Sequence, residues 1–219
     1  MKPNKIFPFL FLFFFLSVTY THSQETEPIF DDKLLLNGYA EKYTDESKEV
    51  LLAMIGDDTL SPYKTAAAIK VFREKYSREV FKTDKKIALR TILRCLARSD
   101  SSFIQVETMH TLCLMNRYKY FESMIPSLIQ KLIHYNDTVS ELAYDSIDNI
   151  IKNGHNRPRE ARIIFNGLRR QLFLTRKRLQ NITKPDPKLK RQLELLRWAI
   201  KILGNEELRR LPSEVISLL

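Results

Sequence analysis

The sequence predicts an all-α fold, a stack of paired helices, and three observations predict it. The first is a helical pattern that returns. Val139, Ala143, Ser146 and Ile147 stand at offsets 0, +4, +7 and +8, Ile104, Thr108, Thr111 and Leu112 repeat them, and Tyr63, Ala67 and Val71 make a partial third copy. Small residues at +4 and +7, set among larger apolar ones, let a helix press closely against a neighbour on each side, as a stacked helical array requires. The second observation is the scarcity of glycine, five in 219 residues, with no strand-like alternation of apolar and polar positions. The third is the dominance of Leu, Ile, Lys, Arg and Glu, which enter helices at little cost.

The N-terminus stands apart from that array. Lys2 and Lys5 precede an unbroken apolar run from Ile6 to Val18, and the small or polar stretch Thr19 to Ser23 follows it. These are the three regions of a secretory signal peptide, residues 1–23, with cleavage after Ser23. The run is thirteen residues long, short of the roughly 20 needed to cross a bilayer, which favours cleavage over a retained anchor. No cysteine lies near the cleavage point, so a lipid-modified N-terminus is unsupported. No later segment is long and apolar enough to span a membrane, so the mature chain is expected to be exported, to a periplasm or to the outside.

Residues 24–44 then form a lead-in or capping segment, and paired helices occupy 45–204. The first pair is Asp45 to Ile55 with Ser61 to Tyr76; the second, Asp84 to Arg98 with Ser101 to Asn116. The third is Phe121 to Tyr135 with Asp137 to Asn153, and the fourth Arg159 to Gln180 with Asp186 to Leu203. Asp100 with Ser101, and Asn136 with Asp137, supply N-caps; Gly154 and Gly204 sit where a helix end wants a left-handed residue. Aligned on Tyr63, Ile104, Val139 and Leu189, the second helices are spaced by 41, 35 and 50 residues, a hairpin-sized but irregular period. Leu208, Leu211, Pro212, Ser213 and Val215 resemble the opening of one more first helix, but no partner helix follows, so 205–219 reads as a capping helix or truncated repeat. Cys95 and Cys113 are the only cysteines. A hairpin turn near Asp100 puts them on the order of 10 Å apart, too far for a disulfide, so buried free thiols are expected.

The segment from Phe121 to Ile147 resembles a HEAT repeat. It has a first helix carrying Ile125-Pro126 and Leu128, a short turn containing Asp137, and a second helix with Val139, Ala143 and Ile147 at the family spacing. Pro126 and Asp137 match family positions; Ser140 departs from the arginine often found there. Thr108 and Thr111 carry the likeness into the second unit, and the first and fourth units follow it more loosely. The resemblance implies a right-handed α-solenoid of about four hairpins that holds another macromolecule, with its second helices on the concave side. The alternative is an unspecialised helical bundle.

Charge is concentrated at one end. From His155 onward there are 11 Arg and 5 Lys against 6 acidic residues, whereas Gln24 to Gly154 carries 18 basic and 20 acidic. At about 100° per residue, Arg162, Arg169 and Arg176 share one face of their helix, opposite Ala161, Phe165, Leu168 and Leu172. In the next helix Lys190, Arg197 and Lys201 oppose the stripe Leu189, Leu193, Leu196, Ile200, Leu203, with the sole tryptophan, Trp198, at the border. Two readings stand side by side: a surface for an acidic or polyanionic ligand, and structural pairing with Glu141, Asp145 and Asp148 of the preceding second helix. Nucleic acid is disfavoured, since only Trp198 and Phe173 offer aromatic faces.

Nothing marks a catalytic centre, a metal site or a cofactor. His110, His134 and His155 lack the carboxylate or cysteine neighbours of a metal or nucleophile site. Asp31-Asp32 and Glu206-Glu207 are adjacent in sequence and diverge in space, and no glycine loop could cradle a phosphate. HEAT-like enzymes exist, but none of their active residues can be picked out. Asn136-Asp137-Thr138 and Asn181-Ile182-Thr183 fit the glycosylation sequon, which matters only in a eukaryotic secretory pathway. The chain therefore reads as an exported, non-catalytic interaction protein with a protein partner. A polyanion- or envelope-binding module using the basic end comes second, and a HEAT-like enzyme third.

Overall fold

The structure, a computed structural model, describes residues 32–76, 85–115, 117–154, 157–180 and 182–219. The signal peptide expected at 1–23 lies outside the described residues, as do Asp31, His155 and Asn181. The described residues are all-helical, with no strand among them. Eight helices correspond to the four expected pairs: α2 (Lys48–Gly56) and α3 (Pro62–Tyr76), α4 (Lys85–Arg98) and α5 (Ser102–Leu114), α6 (Arg117–Lys131) and α7 (Asp137–Lys152), α8 (Arg157–Leu179) and α9 (Pro187–Leu203). They are preceded by α1 (Asp32–Lys42), so the lead-in segment holds a helix of its own. At the other end the expected capping helix is a 3-10 turn, Asn205–Arg210, followed by the single-turn α10 (Ser213–Ile216). Pro212 divides the two, since it cannot donate to a continuing helix.

Contacts sort these helices into two rows. One row runs α2, α4, α6, α8, the other α1, α3, α5, α7, α9; each helix touches the next in its row, and α2 with α3 through α8 with α9 join the rows. The recurring small positions lie where the second row is tightest. Ala66, Ala67 and Ala68 of α3, Thr108 and Thr111 of α5, and Ala143 and Ser146 of α7 are buried. Their hydroxyls cost nothing to bury because each is satisfied within its own helix. Thr108 donates to the Ile104 carbonyl at 2.7 Å, Thr111 to that of Glu107 at 2.7 Å and Ser146 to that of Leu142 at 2.7 Å. The Cys113 thiol donates to the Ser146 hydroxyl at 3.2 Å, tying α5 to α7. Between the rows, Leu51, Phe72, Ile92, Leu96, Leu128 and Phe165 are fully enclosed, each contributing roughly 1.5–3 kcal/mol of burial.

Caps and boundaries depart from expectation in instructive ways. Asn136 accepts from Val139 N–H and caps α7, and Asp186 caps α9 through Leu189 N–H at 2.7 Å, but Ser101 makes no side-chain cap on α5. Gly204 has the positive φ, 107°, that ends α9; Gly154 does not. Gly154 lies instead against the Glu160 carboxylate, which occupies the space a Cβ would take. The first helix of the third pair begins at Arg117, so Pro126 falls inside α6 and has no N–H for the Glu122 carbonyl. Cys95 and Cys113 form no disulfide and are half-buried rather than buried, and burial pushes the Cys95 thiol up to about 11, far from a reactive thiolate.

Candidate partner-binding surface

The basic end is built on α8, whose 23 residues make it the longest described helix. Its apolar stripe, Ala161, Ile164, Phe165, Leu168 and Leu172, is buried, which leaves Arg162, Arg169 and Arg176 on the opposite side as the spacing predicts. The structure gives these three different surroundings. Arg162 pairs with Glu207 of the 3-10 turn, and Arg210 holds the same carboxylate at 2.7 Å. Burial would raise the Glu207 carboxyl, but the two guanidiniums outweigh it and hold it below the usual range. Arg176 stacks on the Phe173 ring, 4.0 Å from its centroid, and donates to the Phe173 carbonyl. Arg169 is half-buried and, like its neighbour Arg170, has no ion-pair partner among the described residues.

The α9 residues belong to the other row. Lys190 and Lys201 are exposed. Arg197 donates to the carbonyls of Leu218 and Leu219 at 3.0 and 3.1 Å, so it fastens the end of the chain rather than facing a ligand. Trp198 is half-buried against the core. The predicted pairing with α7 exists but uses other cations: Arg191 holds Glu141 at 3.1 Å and Lys188 holds Asp137 at 2.9 Å. Asp148 pairs with Lys152 of its own helix. The Tyr144 hydroxyl also bridges α7 to Glu194 of α9 at 3.0 Å, where burial and that carboxylate push it up to about 12. The predicted basic residues therefore do not answer the α7 acids, and they form two groups instead of one continuous patch.

A groove of about 810 Å³ brings part of the α8 group together. Glu122 and Pro126 of α6 form one wall and Ile163, Arg169, Arg170 and Phe173 of α8 the other, with Arg210 at the end. Gly167 lets the two helices approach, since a Cβ there would lie 2.7 Å from Ile129 Cδ1. Phe173 remains half-exposed. Glu122 is engaged by Arg159, so the groove presents an apolar floor and guanidiniums that outnumber its carboxylate. Arg170, Arg210 and Glu122 were missed by helical-wheel reasoning. Arg170 lies 100° round from Arg169 on the wheel, and the other two come from segments remote in sequence.

A second cavity, about 390 Å³, lies between α1, α3 and α5, with Leu36, Phe103, Lys70, Glu107 and His110 on its walls. Lys70 donates to the neutral Asn37 amide at 2.6 Å and Glu107 pairs with Arg73, while Lys33, also on the cavity wall, has no ion-pair partner among the described residues. Burial and then Arg73 push the His110 imidazole below its ordinary value. Among the described residues no group of three or more His, Cys, Asp and Glu is placed to hold a metal, and no helix is long and apolar enough to cross a membrane. No family model, curated protein or solved structure matches this chain.

Proposed function

We propose that this chain is an exported, non-catalytic interaction protein, a HEAT-like right-handed α-solenoid of about four hairpins that holds a macromolecular partner through its helical-repeat surface. The reading takes residues 1–23 as a cleaved signal peptide and 205–219 as the cap of the array. The observation that carries it is the arginine surplus on α8: Arg169 and Arg170 flank a partly apolar groove without carboxylate partners among the described residues. Unanswered guanidiniums beside exposed apolar surface suit an interface, where arginine is enriched and its planar fork takes carboxylates in pairs.

The test has two parts. N-terminal sequencing of the natural product should begin after Ser23; an intact Met1 on a membrane-embedded product would contradict export. Affinity capture from the exported fraction should then recover the same partner with wild-type protein and lose it when the basic end is reversed in charge. A polyanion- or envelope-binding module is the second reading, favoured by Lys190 and Lys201, which are exposed and have no ion-pair partner among the described residues. That reading requires binding that falls steeply with salt over the whole titration, because condensed counterions are released.

A further inference from the structure

We propose that the groove between α6 and α8 binds an acidic peptide segment that carries an apolar anchor side chain, its carboxylates on Arg169 and Arg170 and its anchor against Ile163 and Phe173. This inference rests on the reading of the basic end as a partner surface and names the partner's chemistry. Arg162 of α8, and Gln180 just beyond its last turn, already hold carboxylates of the segment 205–219. Glu207 sits between Arg162 and Arg210, and four residues later Leu211 is buried. Glu214 accepts from Gln180 at 3.2 Å, and Val215, its neighbour, is fully buried. Its own backbone N–H and then Gln180 hold the Glu214 carboxyl below the usual range, with Arg176 adding to the effect. In both places a held carboxylate is followed in sequence by a buried apolar residue.

The groove offers guanidiniums and apolar surface, and no described residue of the chain occupies it. Arg169 and Arg170 line it without an ion-pair partner among the described residues, and the half-exposed Phe173, stacked by Arg176, supplies the apolar contact. Its volume of about 810 Å³ falls within the range of about 300–1,000 Å³ typical of ligand sites. Glu122 on the α6 wall, although held by Arg159, fixes a carboxylate among the guanidiniums, a mixed pattern that suits spaced charges better than closely spaced phosphates or sulfates. A peptide, whose charges are spaced by apolar and amide groups, can leave that position neutral.

The experiment measures fluorescence anisotropy of a labelled short peptide of Asp and Glu with one leucine four residues after a Glu, titrated with the mature full chain. Arg169→Glu with Arg170→Glu is expected to weaken binding about tenfold or more, equivalent to about 1.4 kcal/mol. Phe173→Ala, or replacing the peptide leucine by serine, should weaken it severalfold. Circular dichroism melts should be unchanged for the arginine pair, since neither side chain has an ion-pair partner among the described residues. Lys190→Glu with Lys201→Glu, on the other row, should leave peptide binding intact.

Four results would overturn the proposal. An all-acidic peptide bound as well as the leucine peptide, with Phe173→Ala silent, reduces the groove to charge attraction. A heparin oligosaccharide or a phosphatidylglycerol vesicle bound more tightly through the same arginines assigns it to a polyanion or a membrane surface. Loss of peptide binding in the lysine pair alone keeps the basic end as a partner surface and removes the groove. Binding unaffected by either pair removes both.

Discussion

The second helices of the array differ along its length, and the difference separates packing from recognition. In α3, α5 and α7 the position four residues after the alignment point is Ala67, Thr108 or Ala143; in α9 it is Leu193, and the next inward position is Leu196. Each of the first three helices lies between two second-row neighbours, whereas α9 has α7 on one side and only the 3-10 turn on the other. Helices pressed from both sides need small side chains, and a helix at the end needs large ones to fill its own contacts with α8. Net charge changes at the same place: residues 24–154 carry 18 basic and 20 acidic side chains, and residues from 155 onward 16 basic and 6 acidic. Ion pairs between elements occur in both regions, Arg73 with Glu107 and Arg98 with Asp58 in the first, Arg162 with Glu207 and Arg191 with Glu141 in the second. Arg169, Arg170, Lys190 and Lys201 have no ion-pair partner among the described residues, so the end that is packed differently is also the end with charge to spare.

The sharpest way to break this comparison is to exchange the packing rule between the two regions. Leu193→Ala removes a buried side chain from α9 and is expected to cost about 2–5 kcal/mol. Ala143→Leu forces bulk between α5 and α9 and is expected to cost about 1–3 kcal/mol. Chemical denaturation measures both; a neutral Ala143→Leu would mean that α7 is not tightly flanked. Smaller in effect, Glu207→Gln should leave global melting nearly unchanged but raise amide hydrogen exchange in 205–219, because Arg162 and Arg210 lose their shared carboxylate. Unaltered exchange there would show that Leu211 and Val215 hold the segment without charge.

Acid should do the same without mutation. The Glu207 and Glu214 carboxyls are depressed in the folded chain, so their contribution is present above the ordinary carboxylate pKa of about 4.3 and is lost as pH falls through the lower folded values. Exchange in 205–219 should therefore rise on acidification before the α3 and α5 amides respond. Smallest of all, Glu141→Ala should change stability by no more than about 0.5 kcal/mol, since its bond to Arg191 is largely solvent-exposed.

Much of the fold was legible because helical spacing and turn chemistry are local. The offsets through Val139, Ala143, Ser146 and Ile147 located a buried stripe, and Asn136, Asp186 and Gly204 marked ends that the backbone uses. What escaped depended on distant segments. No wheel drawn on α8 can show that Glu207, 45 residues beyond Arg162, will bind it, or that Arg197 will hold the Leu218 and Leu219 carbonyls. Gly154 looked like a left-handed cap, but its φ is not positive, and its closeness to the Glu160 carboxylate is not revealed by the local sequence. The groove was invisible for the same reason, since its two walls come from α6 and α8 and its end from the 3-10 turn.

Arg169 and Arg170 of α8, which have no ion-pair partner among the described residues, are assigned to recognition and not to the stability of the helical stack, and one paired measurement on one variant tests that assignment. The Arg169→Glu, Arg170→Glu protein is melted beside wild type and assayed for acidic-peptide binding under the same conditions. The account predicts coincident melting curves and binding weakened by about tenfold or more. A melting temperature lowered by several degrees with peptide binding retained would contradict it, assigning the charge on α8 to the fold.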